Sequence, residues 1–141
     1  MSALLSNVVI PVAGPDDAST TGTAAVSRIA DAGGSITAVY VVEKSSGVPD
    51  KAPMGAREAT AKLAFEELER QCESADVPFE RRVVYDSSVA DGVFDVADAI
   101  DASAIVFTPR TGGRLIRLLT GDDALAMITG TDRPVVVLPD G

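Results

Sequence analysis

Short apolar runs alternate with longer amphipathic segments along the chain, and turn residues separate them. The run from Leu5 to Val12 is almost wholly apolar and ends at Ala13-Gly14-Pro15, which is typical of a buried strand followed by a break. Later, apolar residues from Ala61 to Cys72 recur at helical spacing. The whole pattern predicts strands at Leu5–Val12, Ser35–Val42, Phe79–Tyr85, Ala104–Phe107 and Pro134–Leu138, and helices at Ser19–Ala32, Ala56–Ala75, Ser88–Ile100 and Gly121–Thr129.

The predicted strands alternate with the predicted helices, and most of the strands are apolar throughout. Strands of this kind are typical of a parallel sheet that is covered on both faces. We therefore expect an α/β fold with an open parallel sheet and helices on both faces. The length of 141 residues suits one hydrophobic core. Since no internal repeat or linker divides the chain, we expect a single domain over residues 1–141.

The composition removes several classes of function. The sequence has no histidine, which excludes Ser-His-Asp and Cys-His catalysis and His-ligated metal sites. Its only cysteine, Cys72, cannot form an internal disulfide and is most simply a buried helix residue. A net charge of −9 argues against a nucleic-acid partner, because phosphate neutralisation needs a basic surface. We expect no metal and no catalytic residues.

The balance of charged residues also bears on where the protein works. Acidic residues are frequent and only three basic residues are lysines, Lys44, Lys51 and Lys62, which suits a halophilic protein because high salt screens self-repulsion. An ordinary acidic protein is the alternative. No apolar run approaches the ~20 residues that span a bilayer, and the N-terminus lacks the pattern of a secretory signal. We expect a cytoplasmic protein without a membrane partner.

The loop after the fourth predicted strand is the main candidate for a ligand site. In an open parallel sheet, ligands bind where strands end at their carboxyl side, and Gly-rich loops there commonly hold phosphate. No acidic residue lies between Asp101 and Asp122, a stretch that contains three arginines. Arginine binds phosphate or carboxylate with two parallel hydrogen bonds. The alternative is that these arginines pair with acidic residues; the three are Arg110, Arg114 and Arg117.

Four segments, in order, carry a family resemblance. They read VVIPVAGPDDAS from residue 8, ITAVYVVEK from residue 36, VADGVFDVADAIDASAIVFTPRTGG from residue 89 and LIRLLTGDDALAMITGTDRPVVVLP from residue 115. Over essentially its full length the chain resembles a stand-alone universal stress protein, and its composition suggests a haloarchaeal type. The resemblance implies a flavodoxin-like, adenine nucleotide alpha hydrolase-like sheet of five strands in the order 3-2-1-4-5. Ala13-Gly14-Pro15 and Thr108-Pro109-Arg110 would then flank one crevice.

The resemblance also implies where a nucleotide would bind, and this sequence departs from that pattern. ATP-binding members have an aspartate after the first strand, where this chain has Ala13. Their phosphate loop has glycine at the positions of Thr108 and Thr111, and serine or threonine at Asp122, whereas its third glycine is kept here as Gly121. Threonine cannot replace a glycine that approaches a ligand closely, and a carboxylate repels phosphate. Asp122 is more simply an acidic residue at a helix start.

We therefore expect a degenerate nucleotide site that does not bind ATP, and no bound cofactor. The hypothesis is a non-enzymatic stress-response or regulatory module. The alternative is a regulator that binds AMP or ATP between Ala13, Val41 and the Arg110 to Gly121 loop; a slow nucleotide hydrolase is a third hypothesis, for which no general base is visible. The candidate residues of the site are Pro11, Val12, Ala13, Val41, Thr108, Arg110, Thr111, Gly112, Gly113, Gly121 and Asp122.

The last predicted strand is the candidate for self-association. In the order 3-2-1-4-5 it lies at a sheet edge, and its centre is apolar, with Val135, Val136 and Val137 in succession. Exposed apolar edges invite strand pairing, and the resemblance implies dimers through this strand. We expect a homodimer with antiparallel, two-fold pairing, and a protein partner that the sequence does not identify. A monomer whose own loop covers the strand is the alternative.

Overall fold

The computed structural model describes residues 4–43, 54–108 and 126–138, and its strands and helices follow the predicted alternation. Residues 126–129 are helical, in the part of the predicted Gly121–Thr129 helix that is described. The other elements are β1 (Asn7–Pro11), α1 (Pro15–Asp31), β2 (Ser35–Glu43), α2 (Met54–Ala75), β3 (Phe79–Asp86), α3 (Val89–Ile100), β4 (Ala104–Phe107) and β5 (Val135–Val137).

All five strands lie in one parallel sheet in the order β3-β2-β1-β4-β5. The predicted fold class and strand order are therefore confirmed. β1 is central and β3 and β5 form the two edges. The chain moves outward from β1 through β2 to β3 and then returns to place β4 on the other side of β1. The carboxyl ends of β1 and β4 thus meet where the direction of winding reverses, which is the usual place for a ligand crevice.

Helices cover both faces of the sheet because the strand side chains alternate between two apolar clusters. The first cluster contains Val8 and Ile10 of β1 together with residues of α1 and α2, such as Ile29 and Leu68. The second contains Val9 of β1 together with the apolar side of α3, and with Met127. The strands of the sheet centre are thus buried on both sides, as their continuous apolar sequences predicted.

Cys72 lies in the first cluster and is fully buried. Burial, with a further contribution from the carboxylates of Glu69 and Glu73, raises the pKa of its thiol to about 11. The thiol is therefore protonated at neutral pH and is not nucleophilic. Its interpretation as a buried helix residue is confirmed.

Two helices begin earlier than the sequence pattern predicted. α1 begins at Pro15 rather than Ser19, and the N–H of Ala18 donates to the carbonyl of Gly14 at 3.1 Å. Proline suits the first helical position because its fixed φ is helical and its missing N–H would have no partner there. Pro15 therefore begins a helix and is not only the end of a strand. α2 begins at Met54 rather than Ala56.

Arg133 fixes the start of β5 against α3. Its side chain is 22% exposed and donates to the carbonyl of Ala102 at 2.7 Å and to the carboxylate of Asp98 at 3.0 Å. A longer contact of 3.4 Å joins it to Asp101. The hydrogen bond with Asp98, together with the hydrogen bond to Asp101 and the charges of both carboxylates, raises the pKa of Arg133 above the ordinary value for arginine. The edge strand is thus held in place by polar contacts as well as by its pairing with β4.

Candidate functional site

The carboxyl ends of β1 and β4 lie side by side at the centre of the sheet. Val8 is level with Ala104 and Val9 with Ile105, so continuing this register places Pro11 level with Phe107. Ala13 and Thr108 therefore leave the sheet at the same end, beyond the carboxyl ends of β1 and β4. On its other side, the end of β1 is held by β2, because the N–H of Val12 donates to the carbonyl of Val39 at 2.9 Å.

The described wall of this crevice is apolar. Pro11 and Val12 are buried, whereas Ala13 and Val41 are partly buried and pack against the second cluster. Val41 comes from β2, so this wall spans the ends of two neighbouring strands. Such a surface can hold the flat face of an aromatic ring, but Ala13 and Val41 present no polar side-chain atoms to a ribose or a phosphate.

Gly92 in α3 determines how closely that helix approaches Val41. A Cβ atom at position 92 would lie 2.7 and 2.8 Å from the two Cγ atoms of Val41, and 3.2 Å from Cγ2 of Val84. Only glycine therefore allows α3 to pack this closely on β2 and β3. Sequence reasoning missed this residue. A glycine inside an otherwise regular helical stripe was the available signal, because glycine in a helix interior weakens the helix and calls for a packing reason.

Thr108 carries a buried hydroxyl at the carboxyl end of β4. Among the described residues, two buried side-chain hydroxyls have no hydrogen-bond partner, those of Thr21 and Thr108. Thr21 lies in α1, whereas Thr108 follows β4 directly and is fully buried. Leaving a buried hydroxyl unpaired costs roughly 1–3 kcal/mol. Thr108 is thus a buried polar group at the carboxyl end of β4 that has no partner among the described residues.

Carboxylates gather at the same end of the sheet, around the junction of β3 and α3. Ser88 caps α3 by accepting from the N–H of Asp91, and Ser87 contacts both Asp86 and Asp91. The pKa of Asp95 is raised, first by a hydrogen bond with Asp86 and then by burial and neighbouring carboxylates. This concentration of negative charge disfavours a triphosphate nearby, although salt screens the effect.

The described candidates lie at the carboxyl ends of three neighbouring strands. Ala13 and Val41 pack against one apolar cluster, and Thr108 follows β4, the strand that pairs with β1. In the described ranges 4–43, 54–108 and 126–138, no three acidic or cysteine side chains come together as a metal site. The remaining candidates lie outside the described residues; they are Arg110, Thr111, Gly112, Gly113, Gly121 and Asp122.

No helix within the described part of the chain is both long and apolar enough to cross a membrane.

Comparison with known proteins gives one family. Residues 5–139 match the model of the "Universal stress protein family". No protein of curated function matches the sequence.

Several solved structures share the fold over nearly the whole chain. A protein of the universal stress protein family from Burkholderia pseudomallei is 22% identical, with 99% of each chain covered and a TM-score of 0.77. A universal stress protein in complex with cAMP is 14% identical, covering 96% of this chain and 98% of its own, with a TM-score of 0.72. One from Archaeoglobus fulgidus in complex with dAMP is 20% identical, covering 94% and 97%, with a TM-score of 0.64.

Proposed function

Because this chain belongs to the universal stress protein family, we propose that it acts as a non-enzymatic stress-response or regulatory module whose crevice does not hold ATP. The observation that carries this proposal is Ala13. It stands where ATP-binding members place an aspartate, and its side chain packs into an apolar cluster with Val41. The contact to the nucleoside is therefore replaced by an apolar surface. Cytoplasmic location and function in high salt are part of the same proposal.

The absence of ATP binding can be measured directly. Titration calorimetry with ATP and Mg²⁺ in molar salt should give no saturable heat, because Ala13 removes the nucleoside contact and Thr108, Thr111 and Asp122 depart from the phosphate loop. The Archaeoglobus fulgidus protein that was solved with dAMP serves as the positive control with its own nucleotide. A micromolar Kd for ATP would contradict the proposal.

A second candidate function is the binding of a nucleoside monophosphate or a smaller anion. Thr108 favours it, since its buried hydroxyl lacks a partner among the described residues. Two neighbours were solved with cAMP and dAMP, so the fold accommodates monophosphates. Arg110 is then the expected side-chain donor, with Gly112 and Gly113 supplying backbone N–H groups. This site would need no aspartate after β1 and only one phosphate group.

Replacing Thr108 by valine distinguishes the two candidates, because valine keeps the shape and removes the hydroxyl. Without a ligand, Thr108→Val should stabilise the fold by about 1 kcal/mol, since an unpaired buried hydroxyl disappears. If AMP or phosphate binds through Thr108, the variant should lose about tenfold in affinity. Urea unfolding and calorimetry with AMP measure the two effects.

Thr21→Val is the matched control, since Thr21 also has a buried and unpaired hydroxyl but lies in α1. It should raise stability in the same way and leave any AMP affinity unchanged. An equal loss of AMP affinity in both variants would remove Thr108 from the site. Destabilisation by Thr108→Val would show that the hydroxyl has a partner in the unliganded protein.

We also propose that the module is a homodimer through β5. The strand lies at the edge of the sheet, and the side chain of Val137 is 45% exposed there. Arg133 holds the start of β5 against α3, so the edge is already ordered for pairing with a second copy. Unidentified protein partners would then meet a two-fold symmetric surface.

A further inference from the structure

The opposite edge of the sheet, β3, also exposes apolar side chains. β3 has eight residues, whereas β5 has three, and among the described strands β3 pairs with β2 alone. Val83 is 44% exposed and Tyr85 is 47% exposed. Both lie on the α2 side of the sheet. Long exposed edges of this kind are normally covered or paired.

A groove next to these two side chains enlarges the apolar surface. It has a volume of about 210 Å³ and lies between α2 and the strands β2 and β3. Val83 and Tyr85 form one wall, and Phe65 of α2 and Tyr40 of β2 contribute to the rest. The exposed edge and the groove thus form a continuous surface on one face.

We propose that β3 pairs in antiparallel fashion with β3 of a second copy, with Val84 on the two-fold axis. A two-fold axis perpendicular to the sheet places the α2 side of one copy next to the α2 side of the other. Each residue of β3 therefore lies opposite a residue that faces the same side of the sheet. In this register Arg82 lies opposite Asp86 of the second copy, and Val83 opposite Tyr85 of the second copy. Each pair occurs twice because the contact is symmetric. The exposed apolar pair would then be covered by its counterpart.

The charges along β3 select this register over its neighbours. With the axis at Val83, Glu80 would face Asp86 of the second copy. With the axis at Arg82 or at Arg81, two arginines would face each other. Like charges directly opposite each other destabilise strand pairing, whereas opposite charges stabilise it. With the axis at Tyr85, no two charged residues would face each other. Only the axis at Val84 brings opposite charges together and no like charges.

The local geometry of β3 is compatible with this pairing. The N–H of Ile36 donates to the carbonyl of Pro78 at 3.0 Å. Because backbone groups alternate in direction along a strand, those of Val83 point away from β2. Arg82 forms no ion pair with any described residue and is exposed, whereas Asp86 is oriented by the N–H of Ser87, which donates to its carboxylate at 2.7 Å. The arginine is thus available to a carboxylate of a second copy.

The test uses the full-length chain carrying Val137→Asp, so that pairing through β5 does not contribute. Sedimentation over a wide range of concentrations should still show self-association. Adding Arg82→Asp should weaken it at least about tenfold, since two opposite-charge pairs become two like-charge pairs. Adding Asp86→Arg to that variant should restore association by exchanging the two charges.

Glu80→Arg is the matched control, because Glu80 lies on the same strand and has no charged residue opposite it in this register. It should leave association unchanged. A monomer at every concentration, or equal effects of Glu80→Arg and Arg82→Asp, would overturn the proposal. If Asp86→Arg fails to fold, hydrogen exchange decides instead. Protection of the Val83 amide should rise with concentration, and constant protection would count against the pairing.

Discussion

Gly34→Ala is expected to destabilise the fold by about 3 kcal/mol or more, because the added methyl group has no room. A Cβ atom at this position would lie 1.8 Å from the carbonyl oxygen of Leu5 and 3.1 Å from Cγ2 of Ile29. The nearest atom belongs to the backbone, so the chain ahead of β1 would have to move. The N–H of Gly34 also donates to the carbonyl of Ile29 at 2.9 Å, and this hydrogen bond closes the last turn of α1.

The neighbouring glycine provides the control for this prediction. Gly33 has φ +71°, and no atom lies within 4 Å of a Cβ atom built there. Gly33→Ala should therefore cost only about 1–2 kcal/mol, the cost of a left-handed backbone conformation for alanine. Urea unfolding of both variants measures the difference. Equal losses of stability would show that the chain ahead of β1 moves at little cost and that the contact with Leu5 does not require glycine at position 34.

The effect of Gly34 extends to the candidate site through the position of β1. The N–H of Ser35 donates to the carbonyl of Ser6 at 3.1 Å, so the chain after Gly34 sets the register between β1 and β2. That register determines where β1 ends and therefore where Ala13 lies relative to Val41. A variant that folds with this contact disturbed should thus alter the crevice as well as the stability.

Much of the fold follows from features that the sequence displays directly. Apolar runs such as Ala104–Phe107 are buried on both sides, and parallel strands of this kind need helices on both faces. The strand order came from the family resemblance, because alternation alone does not decide where the chain reverses. The predicted start of α1 at Ser19 was wrong because proline both ends strands and begins helices, and the sequence pattern at Pro15 fits either role.

The proposed dimer contact and the candidate site were less predictable than the fold. The first depends on the direction of side chains, and the second depends on how closely two elements approach each other. The run Val135 to Val137 gives no indication of which side chain faces the core. In the structure, Val136 packs against the first cluster, whereas Val137 is exposed. Gly92 was missed for a similar reason, since its role depends on the distance between α3 and Val41. Local sequence does not contain these long-range distances.

The direction of these valines determines the design of the dimerisation test. Val137→Asp is expected to abolish pairing through β5, because it places a carboxylate on the exposed side of the pairing edge. Val136→Asp would instead place a carboxylate against the first cluster, where Val136 is partly buried, and destabilise the fold. The structure thus favours Val137 over Val136 as the position to change.

Light scattering should be carried out in molar salt, because each copy carries a net charge of −9 and the copies repel each other at low ionic strength. When Arg82→Asp is present in both proteins, so that pairing through β3 contributes little, it should give the mass of two chains with Val137 in place and half that mass with Val137→Asp. The circular dichroism spectrum should not change. Leu63→Asp is the matched control, since Leu63 is 54% exposed but lies on α2. A monomeric wild type would contradict pairing through β5. Equal dissociation by Leu63→Asp would place the contact elsewhere, because only the residue on β5 lies where two copies of that strand would meet.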